Sequence, residues 1–389
     1  MRKDTGASVR IYNLAKGLAS YGNDVHVVVP GQEAFYQSVD GIRVHSIRGF
    51  CPNMILKVLK KAIGVERATS LYFYDIAFIT KTIRLIQKSD IVQMEQQTAG
   101  GLLIPFIQKV LRRPVVIDCH DIFQALRVRH TSALRRALET FLEKIAYRHA
   151  DLILAVSEVE KKLLVSYCGH ENCTYVIPNG VDTAAFTKSQ DIANMLDKYG
   201  LKGSRLVIFV GNLEYLPNRE AVQSLSSVIA SRVVKEVKNA KFVVVGKTRE
   251  KMNMPNLIFT GFVQHLSQLL SASDVAIAPL LHGSGSRLKI LEYFSCGLPV
   301  VSTSVGAEGL RVTNGVNILI EDDLERFALR VVELLENPSL SRRLGVAARK
   351  FVEDEFDWRE IARKLNILLH RVSFLGRKVR RPNAPVECC

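Results

Sequence analysis

Pro279-Leu-Leu-His-Gly283-Ser-Gly285-Ser-Arg287-Leu-Lys289-Ile-Leu-Glu292-Tyr-Phe-Ser-Cys-Gly297-Leu-Pro299 is the stretch on which the fold turns. An apolar run, Val275 to Ala278, enters a loop with two glycines, and a helix is predicted to start near Ser286. Glycines let backbone amides come close to a ligand. A helix start presents spare N–H groups and the positive end of the dipole, which suits a phosphate. Arg287 and Lys289 add positive charge. Glu292 follows Gly285 by about two turns and could accept hydrogen bonds from ribose hydroxyls. Gly297 closes the helix and Pro299 stops it. The set fits a nucleoside diphosphate. A plainer reading is a glycine turn before a surface helix, with Lys289 and Glu292 paired at i,i+3. Placement at the carboxyl end of a strand favours the ligand.

Working outward, short apolar strands alternate with amphipathic helices. Strands are expected at 25–29, 91–94, 114–117 and 152–156, then at 206–210, 242–245, 257–260, 275–278, 299–302 and 317–320. Residues 132–150 carry Leu134, Leu138, Phe141, Leu142 and Ile145 at helical spacing. This alternation indicates parallel sheets covered on both faces. The pattern breaks at Val176-Ile-Pro178-Asn179-Gly180-Val-Asp182 and at the polar segment 188–204, then restarts. The fold class is therefore α/β, with two doubly wound, Rossmann-like domains facing a cleft that would hold the site. The domains are placed at 1–185 and 186–356. A helix over 357–372 is expected to cross back to the first domain, before a basic tail at 373–389. The chain opens on the loop Thr5-Gly6-Ala7-Ser8 and a helix over 9–21, whereas such domains open on a strand. The expected first strand would be encoded upstream of Met1.

The chain has 389 residues, 53 basic and 38 acidic, for a formal charge of +15. Length favours two domains, and 48% hydrophobic residues supply two cores. The charge points to anionic partners or simply to a basic surface. Seven cysteines without a CxxC pair speak against a disulfide framework or a zinc site. Cys119 and Cys296 read as small core residues, and Cys388-Cys389 as a possible lipidation pair. Neither a signal core nor a membrane-spanning run is present in the sequence.

With these motifs in order, the chain resembles the GT-B fold retaining glycosyltransferases, glycosyltransferase family 4, over nearly its whole length. The resemblance rests on Val210-Gly211-Asn212-Leu213 with Tyr215, Pro217 and Asn218, and on His120-Asp121 after 115–118. It rests also on Ala150-Asp151 through Val156-Ser157, on Pro178 to Asp182, and on Gly297 to Gly309. It implies transfer of a sugar from a UDP-, GDP- or ADP-sugar to a glycan or lipid-linked acceptor, with retention. It places His120 and Asp121 at the reacting sugar, together with Arg287 and Lys289. Nucleotide-sugar contacts would come from Gly6, Gly211, Asn212, Gly283, Ser284, Gly285, Ser286, Arg287, Lys289, Leu291 and Glu292. Glu292 matches the second glutamate of the Glu-x7-Glu motif, but Ser284 stands where the first belongs. The family's phosphate-binding Arg and Lys after the first C-domain strand have no match in 212–219. Arg287 and Lys289 are expected to take over that charge, with no cofactor and no metal ion.

Ser157-Glu158-Val159-Glu160 reads as a capping box and Asn218 as an N-cap. Met54 to Val65, MILKVLKKAIGV, reads as a basic amphipathic helix for an anionic membrane, or as an ordinary helix on its own sheet. The protein is accordingly expected in the cytoplasm, on the inner face of the cell membrane if that helix docks. Competing functions are a nucleotide-sugar 2-epimerase and a non-catalytic nucleotide-sugar-binding relative. Release of free nucleotide, epimer formation or binding without turnover separates them. No aromatic-interleaved basic platform supports a nucleic-acid partner.

Overall fold

Short aliphatic runs, buried on both faces, make the sheets of this protein. Its structure, a computed structural model, describes residues 6–31, 34–48, 76–95, 103–119, 133–187, 192–248, 252–283 and 287–379. The chain divides into two units, one of Met1–Pro178 with Ile361–Cys389 and one of Asn179–Glu360.

The second unit is built on a six-stranded sheet. Its strands are β8 (Arg205–Val210), β9 (Ala240–Val245), β10 (Leu257–Gly261), β11 (Val275–Ala278), β12 (Val300–Ser302) and β13 (Leu319–Ile320). They lie in the order β10-β9-β8-β11-β12-β13, and every neighbouring pair is parallel. One face carries Ile208, Val243 and Ala276 against Ile290, Tyr293 and Phe294. The other carries Val207, Phe209 and Ile277 against Leu225, Ile229, Phe327 and Val331. Two covered faces are why these strands read as continuous apolar runs. From β8 the chain builds outward through β9 and β10, then returns to place β11 on the other side of β8. The topological switch point is therefore the carboxyl end of the β8–β11 pair.

The first unit contains two sheets among the described residues. β4 (Val92–Met94), β5 (Val115–Asp118), β6 (Leu152–Ala155) and β7 (Thr174–Val176) form a parallel sheet in sequential order. β1 (Val25–Gly31) pairs in parallel with β3 (Ile42–Arg48), which pairs antiparallel with β2 (Phe35–Val39). The helix Gly6–Ser20 lays Tyr12 and Ala15 on Ile42, Val44 and the valines of β1.

Three strands escape the sequence reading. β2 is exposed along most of its length, so no apolar alternation marks it. The signal was the turn: Asp40 and Gly41 hold φ of 50° and 78°, the two positive values of a tight two-residue hairpin. Its partner β3 follows from it. β7 is three residues long and runs directly into the Ile177-Pro178 break.

Two helix bounds also differ. The first helix starts at Gly6, three residues before the expected start. The last helix is Trp358–Val379 and continues past the expected end at 372. No proline occurs between Trp358 and Pro382, and Gly376 alone does not stop a helix that is otherwise well suited. Its first part is anchored by Ile361, Ala362 and Leu365, all fully buried. Asn23 Nδ2 donates to Asn366 Oδ1 at 2.8 Å.

The capping box is present. Ser157 Oγ accepts from Glu160 N at 3.1 Å, and Glu160 Oε2 accepts from Val156 N at 2.9 Å. Cys119 and Cys296 are buried, and neither forms a disulfide. No helix among the described residues is long and apolar enough to cross a membrane.

Candidate functional site

Two strand ends supply the site at the switch point. β8 ends at Val210 and leads into Gly211-Asn212, and β11 ends at Ala278 and leads into Pro279 to Gly283. The helix Leu288–Ser295 follows. Tyr293 pins it to β8: its hydroxyl oxygen accepts from Val210 N at 2.7 Å. Phe294 and Ile290 bury the same face of the helix. The helix is thus held to the sheet where strand order reverses, the place where doubly wound sheets bind ligands.

Gly283 has φ 122°, and a Cβ there would come within 3.1 Å of Pro217 and 3.2 Å of the Tyr215 hydroxyl. Only glycine satisfies both the backbone angle and this close approach. The loop after β11 therefore packs on the start of the helix Leu216–Ser224. Beside it, His282 Nε2 lies 2.9 Å from Glu220 Oε2.

Arg287 is only 6% exposed. One of its terminal nitrogens donates to Gly283 O at 3.1 Å and to Glu308 Oε2 at 3.3 Å. Its Nε is buried with no hydrogen-bond partner. An orphaned guanidinium N–H is costly unless an acceptor from outside the chain meets it. Burial lowers the Arg287 pKa, and the Glu308 charge opposes that shift.

Lys289 Nζ donates to Asn218 Oδ1 at 2.8 Å and lies 4.3 Å from the centre of the Phe209 ring. Both Lys289 and Glu292 keep partial solvent exposure, yet the surrounding protein dominates their titration. Burial first, then the like charge of Arg287, pulls the Lys289 ammonium down to about 7. Burial pushes the Glu292 carboxyl up to about 7, against the attraction of Lys289. Two cations held this way, with incomplete counter-charge, are strengthened by an incoming diphosphate.

Asn218 is not the N-cap that the sequence suggests. The cap position belongs to Tyr215, which makes no side-chain cap bond. Asn218 is buried instead, and its Nδ2 donates to Asn212 O at 2.9 Å. It links the β8 turn to Lys289, across 71 positions of sequence. A Cβ on Gly211 would press on the Asn218 amide at 2.9 Å, so Gly211 makes room for this link. Asn212 is exposed and receives Glu214 N on its Oδ1.

The expected site residues divide into four groups. Gly211, Asn212, Gly283, Arg287, Lys289 and Glu292 belong to the second unit and flank the switch point. The Leu291 side chain is packed in the core at 1% exposure, because the face that meets the sheet includes position 291. That correction removes it as a side-chain contact. Gly6 opens the first helix of the other unit. His120, Asp121, Ser284, Gly285 and Ser286 lie outside the described residues, as does the Met54 to Val65 segment.

The first unit has its own buried cation, at the carboxyl end of β5. Arg10 and Asp118 are both fully buried. The guanidinium meets the carboxylate at two points, Nε to Oδ2 at 2.9 Å and a terminal nitrogen to Oδ1 at 2.8 Å. Its other terminal nitrogen donates to Pro178 O at 2.9 Å. Sequence reading missed this pair, because 108 positions separate its members.

A parallel sheet with a cationic strand-to-helix junction at its switch point defines a ligand-binding α/β domain of the doubly wound class. Comparison with known proteins sharpens this. The model for glycosyl transferases group 1 matches residues 204–337, and that for glycosyltransferase family 4 matches residues 5–185. The chain belongs to this family and is a glycosyltransferase of GT-B fold.

The GDP-mannose-dependent alpha-(1-6)-phosphatidylinositol monomannoside mannosyltransferase of Mycolicibacterium smegmatis is 24% identical, over 78% of this chain and 83% of its own. The capsular polysaccharide biosynthesis glycosyltransferase CapM of Staphylococcus aureus is also 24% identical, over 79% of this chain and 84% of its own. Among solved structures, Anabaena HepE in complex with UDP and glucose superposes with a TM-score of 0.69 at 18% identity. That match covers 95% of this chain and 96% of HepE.

Proposed function

We propose that Arg287 and Lys289 hold the diphosphate of a nucleotide-sugar donor, and that Glu292 accepts from the ribose hydroxyls. The orphaned, buried Nε of Arg287 carries this reading, because it is a fixed donor at the switch point that lacks an acceptor. Binding energy comes from charge-assisted hydrogen bonds to phosphate oxygens. As the sugar–phosphate bond breaks, charge builds on the departing diphosphate, and the same two cations stabilise it. They do so without a metal ion.

The sugar passes to a lipid-linked or growing surface glycan with retention of configuration, with His120 and Asp121 the residues that the family resemblance assigns to the reacting sugar. Support for the acceptor class comes from the relatives: one is a phosphatidylinositol monomannoside mannosyltransferase, another a capsular polysaccharide biosynthesis glycosyltransferase. The protein positions donor and acceptor and stabilises the leaving group, with no enzyme nucleophile.

Thermal unfolding of the full chain against UDP-, GDP- and ADP-sugars tests the donor site. One nucleotide sugar raises the unfolding midpoint, and Arg287→Ala or Lys289→Ala abolishes the rise. A donor that stabilises both variants as well as the parent refutes the assignment. Proton NMR of the product then reads the anomeric configuration. An inverted product overturns the mechanism and leaves the donor site standing.

A further inference from the structure

In the sheet order β1-β3-β2, β2 lies at one edge, and among the described residues only β3 pairs with it. Soluble proteins blunt such edges with charge, proline or a covering element. Phe35-Tyr36-Gln37-Ser38-Val39 contains neither charge nor proline, and its first four residues are exposed. Phe35 is 51% exposed and Tyr36 61%. The register fixes which backbone groups point outward. Val39 and Ile42 close a two-residue hairpin, so they exchange both ladder hydrogen bonds. The pattern alternates, so Gln37 and Phe35 also turn their N–H and C=O toward β3. Tyr36 and Ser38 turn theirs away from the sheet, and they flank Gln37 symmetrically.

We infer that β2 docks a second copy of this chain, antiparallel across a two-fold axis at Gln37, joining two three-stranded sheets into one. The axis places Tyr36 of each copy opposite Ser38 of the other, so every outward N–H on these residues meets an outward C=O. It also sets Phe35 opposite Val39 of the second copy, an apolar pair on the face that carries Ile42 and Val44. Self-complementarity selects this occupant. The neighbouring registers of the same parity would pair Ser38 with Ala34 or Tyr36 with Asp40, and neither Ala34 nor Asp40 belongs to the strand. An uncharged strand offers no handle to a polyanion or an anionic membrane, and it brings no like charges together when it meets itself. Each copy has a single β2, so the assembly closes at two. The inference does not rest on the donor site, and its outcome leaves the proposed function untouched.

Sedimentation velocity of the full chain over a concentration series tests it. A dimer that dissociates on dilution is expected, since one strand pair makes a small interface. Gln37→Lys sets two lysines against each other across the axis and should weaken the dimer about fivefold. An equal mixture of Gln37→Lys and Gln37→Glu should restore it. Gln37 is exposed, so the unfolding midpoint of each variant should match the parent. In a Cys388→Ser/Cys389→Ser background, Gln37→Cys should form an interchain disulfide under mild oxidation. Residue 37 faces its own copy at a non-hydrogen-bonded position, where Cα atoms lie about 4.5 Å apart. Ser38→Cys should not cross-link, because it faces Tyr36 of the second copy. A chain that stays monomeric at every concentration overturns the inference. So does a dimer that Gln37→Lys leaves unchanged, or cross-linking through Ser38→Cys in place of Gln37→Cys.

Discussion

Arg10 and Arg287 are both buried arginines near the carboxyl ends of parallel strands, and they do opposite things. Arg10 is saturated: a carboxylate meets it at two points and a carbonyl at a third. Arg287 has one weak ion pair at 3.3 Å, to a glutamate that is largely exposed, and an Nε with nothing to bind. The first arginine is spent on holding its own unit together. The second has capacity left for a ligand. Burial alone therefore does not distinguish these two arginines; the number of satisfied donors does.

The largest effect is expected where the contrast is sharpest. Arg10→Ala should cost about 3–5 kcal/mol in urea unfolding, because Asp118 is left buried and unpaired. Arg10→Met with Asp118→Leu should recover most of that loss. A loss under about 1 kcal/mol in the single variant would show that water reaches the site and that the saturation is only apparent.

Arg287→Met should behave in reverse. Affinity for the stabilising nucleotide sugar should fall by about 2–3 kcal/mol, or roughly 30- to 150-fold by calorimetry. The unfolding midpoint should stay level or rise, since an incompletely paired buried cation is removed. A marked drop in stability with intact affinity would make Arg287 a second Arg10.

Lys289 gives a smaller, pH-dependent effect. Burial draws its pKa down to about 7, so above pH 7 it is largely neutral. A bound diphosphate favours the charged form, so binding takes up a proton there, and affinity falls by up to tenfold per pH unit. The groups facing it are Arg287, Glu292 and the neutral Asn218. Lys289→Arg should flatten the profile, because a guanidinium stays charged throughout. Calorimetry in buffers of different ionisation enthalpy reads the proton directly.

The smallest effect belongs to the first unit again. Ser157→Ala removes the cap acceptor and should cost about 1 kcal/mol of stability with nucleotide-sugar affinity unchanged.

These contrasts bear on what the sequence made legible. The strands of the second unit were readable because each is apolar on both faces, as in Leu206 to Val210 and Val275 to Ala278. β2 was not, because Phe35 and Tyr36 sit exposed on a hairpin and obey no burial period. Within the site, the glycine loop with Arg287, Lys289 and Glu292 was visible as a local pattern. Asn218 was visible only as a polar residue at a helix start. Its bond to Lys289 comes from the switch point, which joins two loops distant in the chain. The Arg10–Asp118 pair is hidden for the same reason. Local chemistry can be read along a chain, but which distant groups meet is decided by strand order.

One further arginine bears on how the chain is made. Arg349, on the helix Pro338–Glu355, donates to the carbonyls of Thr183, Phe186 and Ser295, the last being the final residue of the helix that carries Lys289 and Glu292. During synthesis the chain emerges amino end first. Every cation and carboxylate of the proposed donor site is therefore outside the ribosome well before the residue that clamps its helix from behind. A nascent chain halted before Arg349 would carry the full set of site residues on a helix not yet fixed at its carboxyl end. Completion of the proposed donor site is in this sense a late event, timed by translation of residues that lie outside it.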